Sequence, residues 1–230
     1  MLPDEMRELR AICERMRRAL DGAGYGEVST PALEYESTLA IADAGEAKPV
    51  YRLFDESGNV LVLRSDMTVP IARLVATRYA QASPPLRFCY FAHAYRGVRP
   101  QRGQSREFLQ AGIELVGEPS PEGTVEALTV LVAALDAAGL QDYRVGLGSA
   151  TLFTALLDRE GIDPARRGPL LHELVTRDFV GLAREVRALG ADPVLATVPQ
   201  LRGGPEVLDD LGDVGDGLRT ILTQVPPNVA

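Results

Sequence analysis

From Glu107 onward the sequence alternates with period two: Leu109, Ala111, Ile113 and Leu115 fall on one side, and Phe108, Gln110, Gly112 and Glu114 on the other. Only an extended strand turns such a pattern into two faces, so one face is predicted to meet a core and the other to be half polar. The segment belongs to a longer run, Tyr95-Arg96-Gly97-Val98-Arg99-Pro100-Gln101-Arg102-Gly103-Gln104-Ser105-Arg106 and on through Glu114, which makes most sense as two strands of a hairpin.

The polar face is unusual in placing a bare Gly112 between an amide and a carboxylate. A glycine inside a strand often marks the close approach of a ligand or of another backbone. At roughly 3.4 Å per residue, Gln110 and Glu114 lie about 13 Å apart at their backbones, a span over which their side chains can hold opposite ends of a small zwitterion. A solvent-facing strand with a glycine bulge accounts for the same letters.

Before this hairpin the chain reads as alternating helices and short strands. Met6, Leu9, Cys13, Met16 and Leu20 predict a helix over 4–21, stopped by Gly22-Ala23-Gly24. A short strand is expected near Glu27 and Val28, followed by an edge or interface strand after Pro31, which cannot donate to a ladder. Val50–Phe54 and Val60–Arg64 predict a hairpin around Asp55-Glu56-Ser57-Gly58-Asn59, and 68–80 a helix, with Asp66 in position to cap it for about 0.5–2 kcal/mol. Leu86–Ala92 is expected as a strand.

After the hairpin, Ser120-Pro121-Glu122 predicts a helix start with Ser as cap and Pro at the first helical position, running to Gly139. A strand is expected over Tyr143–Leu147. Helices are expected over Ala150–Arg159, Pro169–Thr176 and Val180–Leu189, with a domain boundary near residue 148.

Composition excludes several classes. The 230 residues are 46% hydrophobic, with no run of about 18 apolar residues and no apolar leader after Asp4, Glu5 and Arg7. A cytoplasmic location and no membrane partner are the expectation. Cys13 and Cys89, without Cys-x-x-Cys spacing, read as buried thiols, and His93 as a core histidine; with His172 they predict neither a disulfide framework nor a metal site, and no cofactor is expected. The net charge of −8 opposes adhesion to phosphate backbones, so a nucleic-acid partner is not expected. Arg96, Arg99, Arg102 and Arg106 flank one loop and fit a small anion better than a duplex.

Three pieces in order, Pro31-Ala32-Leu33-Glu34-Tyr35, Leu63-Arg64-Ser65-Asp66-Met67-Thr68 and the stretch from Tyr95-Arg96 to Glu114, resemble the class II aminoacyl-tRNA synthetases, specifically the histidyl branch, over about residues 4–145. The resemblance implies an α+β fold: a class II synthetase-like antiparallel sheet flanked by helices over 1–148, then a small helical insertion-like domain and tail over 149–230. It implies a histidine pocket in which Asp66 and Thr68, with Met67 between them, meet the α-amino group, Gln110 and Glu114 face the amino acid, and Arg96 is the class-defining arginine. Arg99, Arg102 and Arg106 would then be anion-binding. For Glu114, a structural ion pair with Arg64 or Arg144 is the alternative.

That branch holds the synthetases and their paralogues, the regulatory subunits of ATP phosphoribosyltransferase. Val98 stands where synthetases usually carry an acidic residue, Gln104 where they carry a basic one, and Asp66-Met67-Thr68 where they read Glu-Gly-Thr. The histidine half is thus kept while the ATP half is eroded, which implies a non-catalytic, histidine-sensing regulator. Its implied partners are L-histidine and a short-form ATP phosphoribosyltransferase catalytic subunit, in a homodimer within a larger hetero-oligomer. Neither a Tyr-Tyr-Thr-Gly signature nor a glycine-rich third motif is found, so the polypeptide is expected to stop before the last strands of the sheet. A truncated histidyl-tRNA synthetase and a free-standing amino-acid-binding module are the alternatives.

Overall fold

Glu107–Val116 is a strand, paired in antiparallel register with Leu86–Tyr95 so that Tyr90 stands opposite Gly112 and Phe88 opposite Glu114. The computed structural model describes residues 1–40, 50–97 and 105–229, in two compact units, Met1–Gln141 and Asp142–Ala230. The first unit runs α1 (Pro3–Gly22), β1 (Gly26–Glu27), β2 (Leu33–Tyr35), α2 (Glu36–Ala40), β3 (Arg52–Phe54), β4 (Val60–Leu63), α3 (Thr68–Arg78), β5 (Leu86–Tyr95), β6 (Glu107–Val116) and α4 (Glu122–Ala138).

Two three-stranded sheets result. One has the order β1-β5-β6, with β1 parallel to β5; the other, β2-β4-β3, is antiparallel throughout. The expected hairpin joins β3 to β4, its turn held by Asp55 Oδ1, which accepts from the amides of Ser57 and Asn59 at 2.9 and 2.8 Å. As Pro31 predicts, β2 lies at a sheet edge.

The β5–β6 sheet is covered differently on its two faces. Cys89 and Ile113 pack with Leu20 and Tyr25 from the α1 side and with Val130 and Ala134 of α4. On the opposite face Phe88 and Tyr90 pack against Met67 and Ile71 of the α3 region. Glu126 of α4 accepts two bonds from Arg87 of β5, both 2.7 Å, and one from the Tyr25 hydroxyl at 2.7 Å, so the helix layer is locked to the sheet. Arg87 is the main reason that Glu126 sits below the usual carboxylate range.

Several expectations are corrected. Helix α4 begins at Glu122, with Pro121 at the cap position and no side-chain capping bond; the carbonyl of Pro119 takes the Gly123 amide instead, at 2.8 Å, leaving Ser120 no capping role. Asp66 does not cap α3, since Met67 holds that position without a side-chain bond. Cys89 is buried but Cys13 only partly so. His93 is exposed, because it lies where α1 and the strand ends leave an open groove lined also by Leu9, Arg10 and Cys13.

The second unit packs α5 (Ala150–Arg159), α6 (Arg167–Thr176), α7 (Phe179–Leu189), α8 (Val194–Thr197) and α9 (Asp216–Leu222) with short 3-10 turns around Leu156, Leu157, Leu170, Leu182, Leu195 and Leu211. Asp178 caps α7 by accepting from the Gly181 amide at 2.8 Å, and Gly190 closes it at φ 65°. Tyr143–Leu147 is not a strand: its backbone pairing is an isolated bridge between Val145 and Val229. The division between the two units lies between Gln141 and Asp142. Among the described residues no helix is long and apolar enough to cross a membrane.

Candidate functional site

The turn that precedes α3 is held from both ends. Arg64 is 6% exposed, yet its guanidinium is satisfied by backbone: Nε donates to the His93 carbonyl at 2.9 Å, and Nη1 to the carbonyls of Thr30 at 2.6 Å and Pro31 at 3.2 Å. Its own carbonyl accepts from the Tyr95 amide at 2.9 Å. One buried arginine thus joins the end of β4 to the end of β5 and to the segment entering β2. At the other end of the turn the Met67 side chain is fully buried beside Ile71 and Tyr90. The Met67 side chain is accordingly an anchor in the core, which leaves its backbone to take any part in ligand binding.

With the turn so fixed, Thr68 at the start of α3 faces β6, and its hydroxyl donates to Glu114 Oε1 at 2.8 Å. Burial pushes the Glu114 carboxyl above the usual carboxylate range; the Thr68 bond pulls it back, and the charge of Asp66 pushes it up again. Asp66 is partly exposed and accepts a weak bond from Ser65 Oγ at 3.4 Å. Among the described residues neither Asp66 nor Glu114 has a cationic partner. Arg64, offered as a structural partner for Glu114, is engaged with carbonyls instead.

Further along the same face of β6, Gln110 Nε2 donates to the Tyr90 hydroxyl at 3.1 Å, while Gln110 Oε1 is buried with no partner among the described residues. Gly112, between Gln110 and Glu114, is approached closely, as the sequence suggests, but by the Tyr90 ring: an added Cβ would lie 2.4 Å from the phenol oxygen. Tyr90 absorbs the space that the sequence leaves open for a ligand or a second backbone. Burial pushes its phenol upward, and the Glu114 and Asp66 charges add to that.

These groups share one chemical character. Two carboxylates, the Gln110 carbonyl oxygen and a Thr68 hydroxyl whose proton is committed to Glu114 are all acceptors. The complement is a small molecule rich in N–H donors and positively charged. A metal is a poorer fit: among the described residues no group of three or more His, Cys, Asp and Glu is arranged to hold one.

Arg96 lies just past the end of β5, exposed, with its guanidinium 4.8 Å from the centre of the Phe108 ring on the same face of the hairpin as Gln110. The backbone amide of Arg96 donates to the Arg106 carbonyl at 3.0 Å, extending the ladder, and the Arg106 side chain is exposed. Arg99 and Arg102, with Val98 and Gln104, lie outside the described residues. The structure therefore brings Asp66, Thr68, Gln110 and Glu114 to one face of β6 and sets Arg96 over Phe108, the next residue along that face. The role of Arg64 and the residue Tyr90, both of which matter to the geometry, escape the sequence reading; the alternation of β5, with Phe88, Tyr90 and Ala92 on one face, is the signal that could have found Tyr90.

A sizeable cavity lies elsewhere. It is in the second unit, about 660 Å³, lined by apolar side chains such as Phe153, Leu171, Val198 and Leu218, and it holds none of these polar groups.

A family model described as histidyl-tRNA synthetase matches residues 1–224. Among curated proteins the chain is similar to an ATP phosphoribosyltransferase regulatory subunit of Desulforamulus reducens, 37% identical over 91% of this chain and 53% of that protein. It is 40% identical to one of Moorella thermoacetica, over 80% of this chain and 48% of that protein. A crystal structure described as an ATP phosphoribosyltransferase regulatory subunit/histidyl-tRNA synthetase from Bacillus halodurans superposes with a TM-score of 0.83 at 32% identity, covering 96% of this chain and 60% of that one. The chain spans about half the length of the curated relatives it matches.

Proposed function

We propose, since the chain belongs to the histidyl-tRNA synthetase family, that it is the histidine-binding part of an ATP phosphoribosyltransferase regulatory subunit, acting in the cytoplasm without chemistry of its own. The observation that carries this reading is the acceptor-only site in which, among the described residues, Asp66 and Glu114 lack a cation, Thr68 has its proton committed to Glu114, and Gln110 Oε1 lacks a donor. An α-ammonium group, with the imidazole N–H beyond it, supplies the missing donors and charge. Asp66, Thr68, Gln110 and Glu114 are the proposed contacts, with Arg96 positioned for the carboxylate end and Arg106 on the anion-bearing rim that the sequence extends to Arg99 and Arg102.

The names carried by the curated relatives support the regulatory side of the reading. So do Val98 and Gln104, which replace the acidic and basic residues that the synthetase resemblance leads one to expect. The proposed partner is a short-form ATP phosphoribosyltransferase catalytic subunit, in a hetero-oligomer built on a homodimer of this chain. Histidine then changes the partner's activity only by binding two assembly states with different affinity.

The test is to add the chain to such a catalytic subunit and assay phosphoribosyl transfer with and without L-histidine. Activity that rises with the chain and falls again with histidine is expected, together with background ATP–pyrophosphate exchange by the chain alone. Histidine-dependent exchange that disappears in Arg96→Ala would overturn the regulatory reading in favour of histidine activation.

A further inference from the structure

Tyr90 is 4% exposed and occupies the space that a side chain at its cross-strand partner, residue 112, would need: an added Cβ there lies 2.4 Å from the phenol oxygen and 2.6 Å from Cζ. Only glycine lets the ring reach across β6. The hydroxyl thereby arrives beside Gln110, whose Nε2 donates to it at 3.1 Å.

That bond fixes the amide in place. A phenol hydroxyl both donates and accepts, so Tyr90 sets where the amide head lies rather than which way it is turned. With Nε2 bonded to Tyr90, Oε1 is buried and unpartnered among the described residues, on the same face of β6 as Glu114.

We propose that Tyr90 is the positioning residue that holds the Gln110 amide head at the candidate site, and that Gly112 is the residue that admits it. The inference rests on the histidine-binding reading above and assigns the placement of a ligand-facing amide to a residue outside the contact set. Tyr90→Phe keeps the ring against Met67 and Ile71 and removes only the hydroxyl.

The test combines calorimetry with L-histidine on the full chain, Tyr90→Phe, Gln110→Ala and the double variant with side-chain amide NMR of the unliganded proteins. Expected are a loss of affinity of about three- to tenfold in Tyr90→Phe, the scale of one hydrogen bond, and no further loss when Tyr90→Phe is added to Gln110→Ala. In the free wild type the Gln110 amide protons should show contacts to the Tyr90 ring and slowed exchange, both lost in Tyr90→Phe. Wild-type affinity in Tyr90→Phe, or an undiminished effect in the Gln110→Ala background, overturns the proposal. Should the wild type not bind histidine, the histidine reading falls, and the unliganded amide signals still decide on Tyr90: unchanged in Tyr90→Phe, they refute it.

Discussion

The Thr68 hydroxyl donates to Glu114 Oε1 at 2.8 Å, joining the first residue of α3 to β6 and leaving both residues with acceptor capacity toward the same space. Ionised Glu114 gains that bond but loses solvent and faces the Asp66 charge, and its carboxyl is raised above the usual range. A carboxyl with a raised folded-state pKa disfavours the native state once the pH climbs through its unfolded value and then its folded one, because the native state would rather keep the proton. Glu114→Gln should therefore raise the thermal midpoint of the free protein at pH 7 while weakening histidine binding.

A cationic ligand should reverse the balance by favouring ionised Glu114, so binding releases protons and affinity falls as pH drops through the raised free-state pKa. Histidine's own imidazole titrates nearby, and comparison with Glu114→Gln separates the two. Calorimetry between pH 4.5 and 7.5, in buffers of different ionisation heat, should show proton release by the wild type that the variant lacks.

Gly112→Ala should be poorly tolerated although residue 112 lies on a strand face that looks polar. The added methyl meets the Tyr90 ring, which is wedged against Met67 and Ile71 and cannot swing away freely. Overpacking of this kind destabilises by about 1–3 kcal/mol. Urea unfolding should show that loss, with weaker histidine binding as the Gln110 partner is displaced.

Arg64→Met should cost about 3 kcal/mol or more. Three backbone carbonyls, those of Thr30, Pro31 and His93, lose their side-chain donor, and each buried acceptor left unpaired costs about 1–3 kcal/mol unless the structure relaxes. Arg64→Lys should recover little, because a single ammonium does not span both sides of the junction. Because the same arginine holds the turn carrying Asp66 and Thr68, chemical denaturation and ligand binding should deteriorate together.

Legible in the sequence were the features set by local pattern. The alternation at 107–116, the Asp55–Asn59 turn, the edge position after Pro31 and the helix over 150–159 all depend on neighbours in the chain, and they appear as expected. The clustering of Asp66, Thr68, Gln110 and Glu114 was legible because a family resemblance lent a third dimension to residues far apart in sequence. Tyr90 was not, since the alternation of β5 gives its face but its role arises from the cross-strand register with Gly112. Arg64 was weighed only as a partner for Glu114, because its actual partners are carbonyls, which leave no mark in a sequence. Tyr143–Leu147 has strand-like letters, but among the described residues its ladder is the single Val145–Val229 bridge, too short to make a strand.

The most direct measurement is the titration of L-histidine into the purified chain by calorimetry, repeated with Glu114→Ala. The account predicts saturable binding by the wild type and an affinity at least about tenfold lower in the variant, the loss of one charge-assisted hydrogen bond of about 1.5–3 kcal/mol. No saturable binding by the folded wild type, or the same affinity in Glu114→Ala, would contradict it.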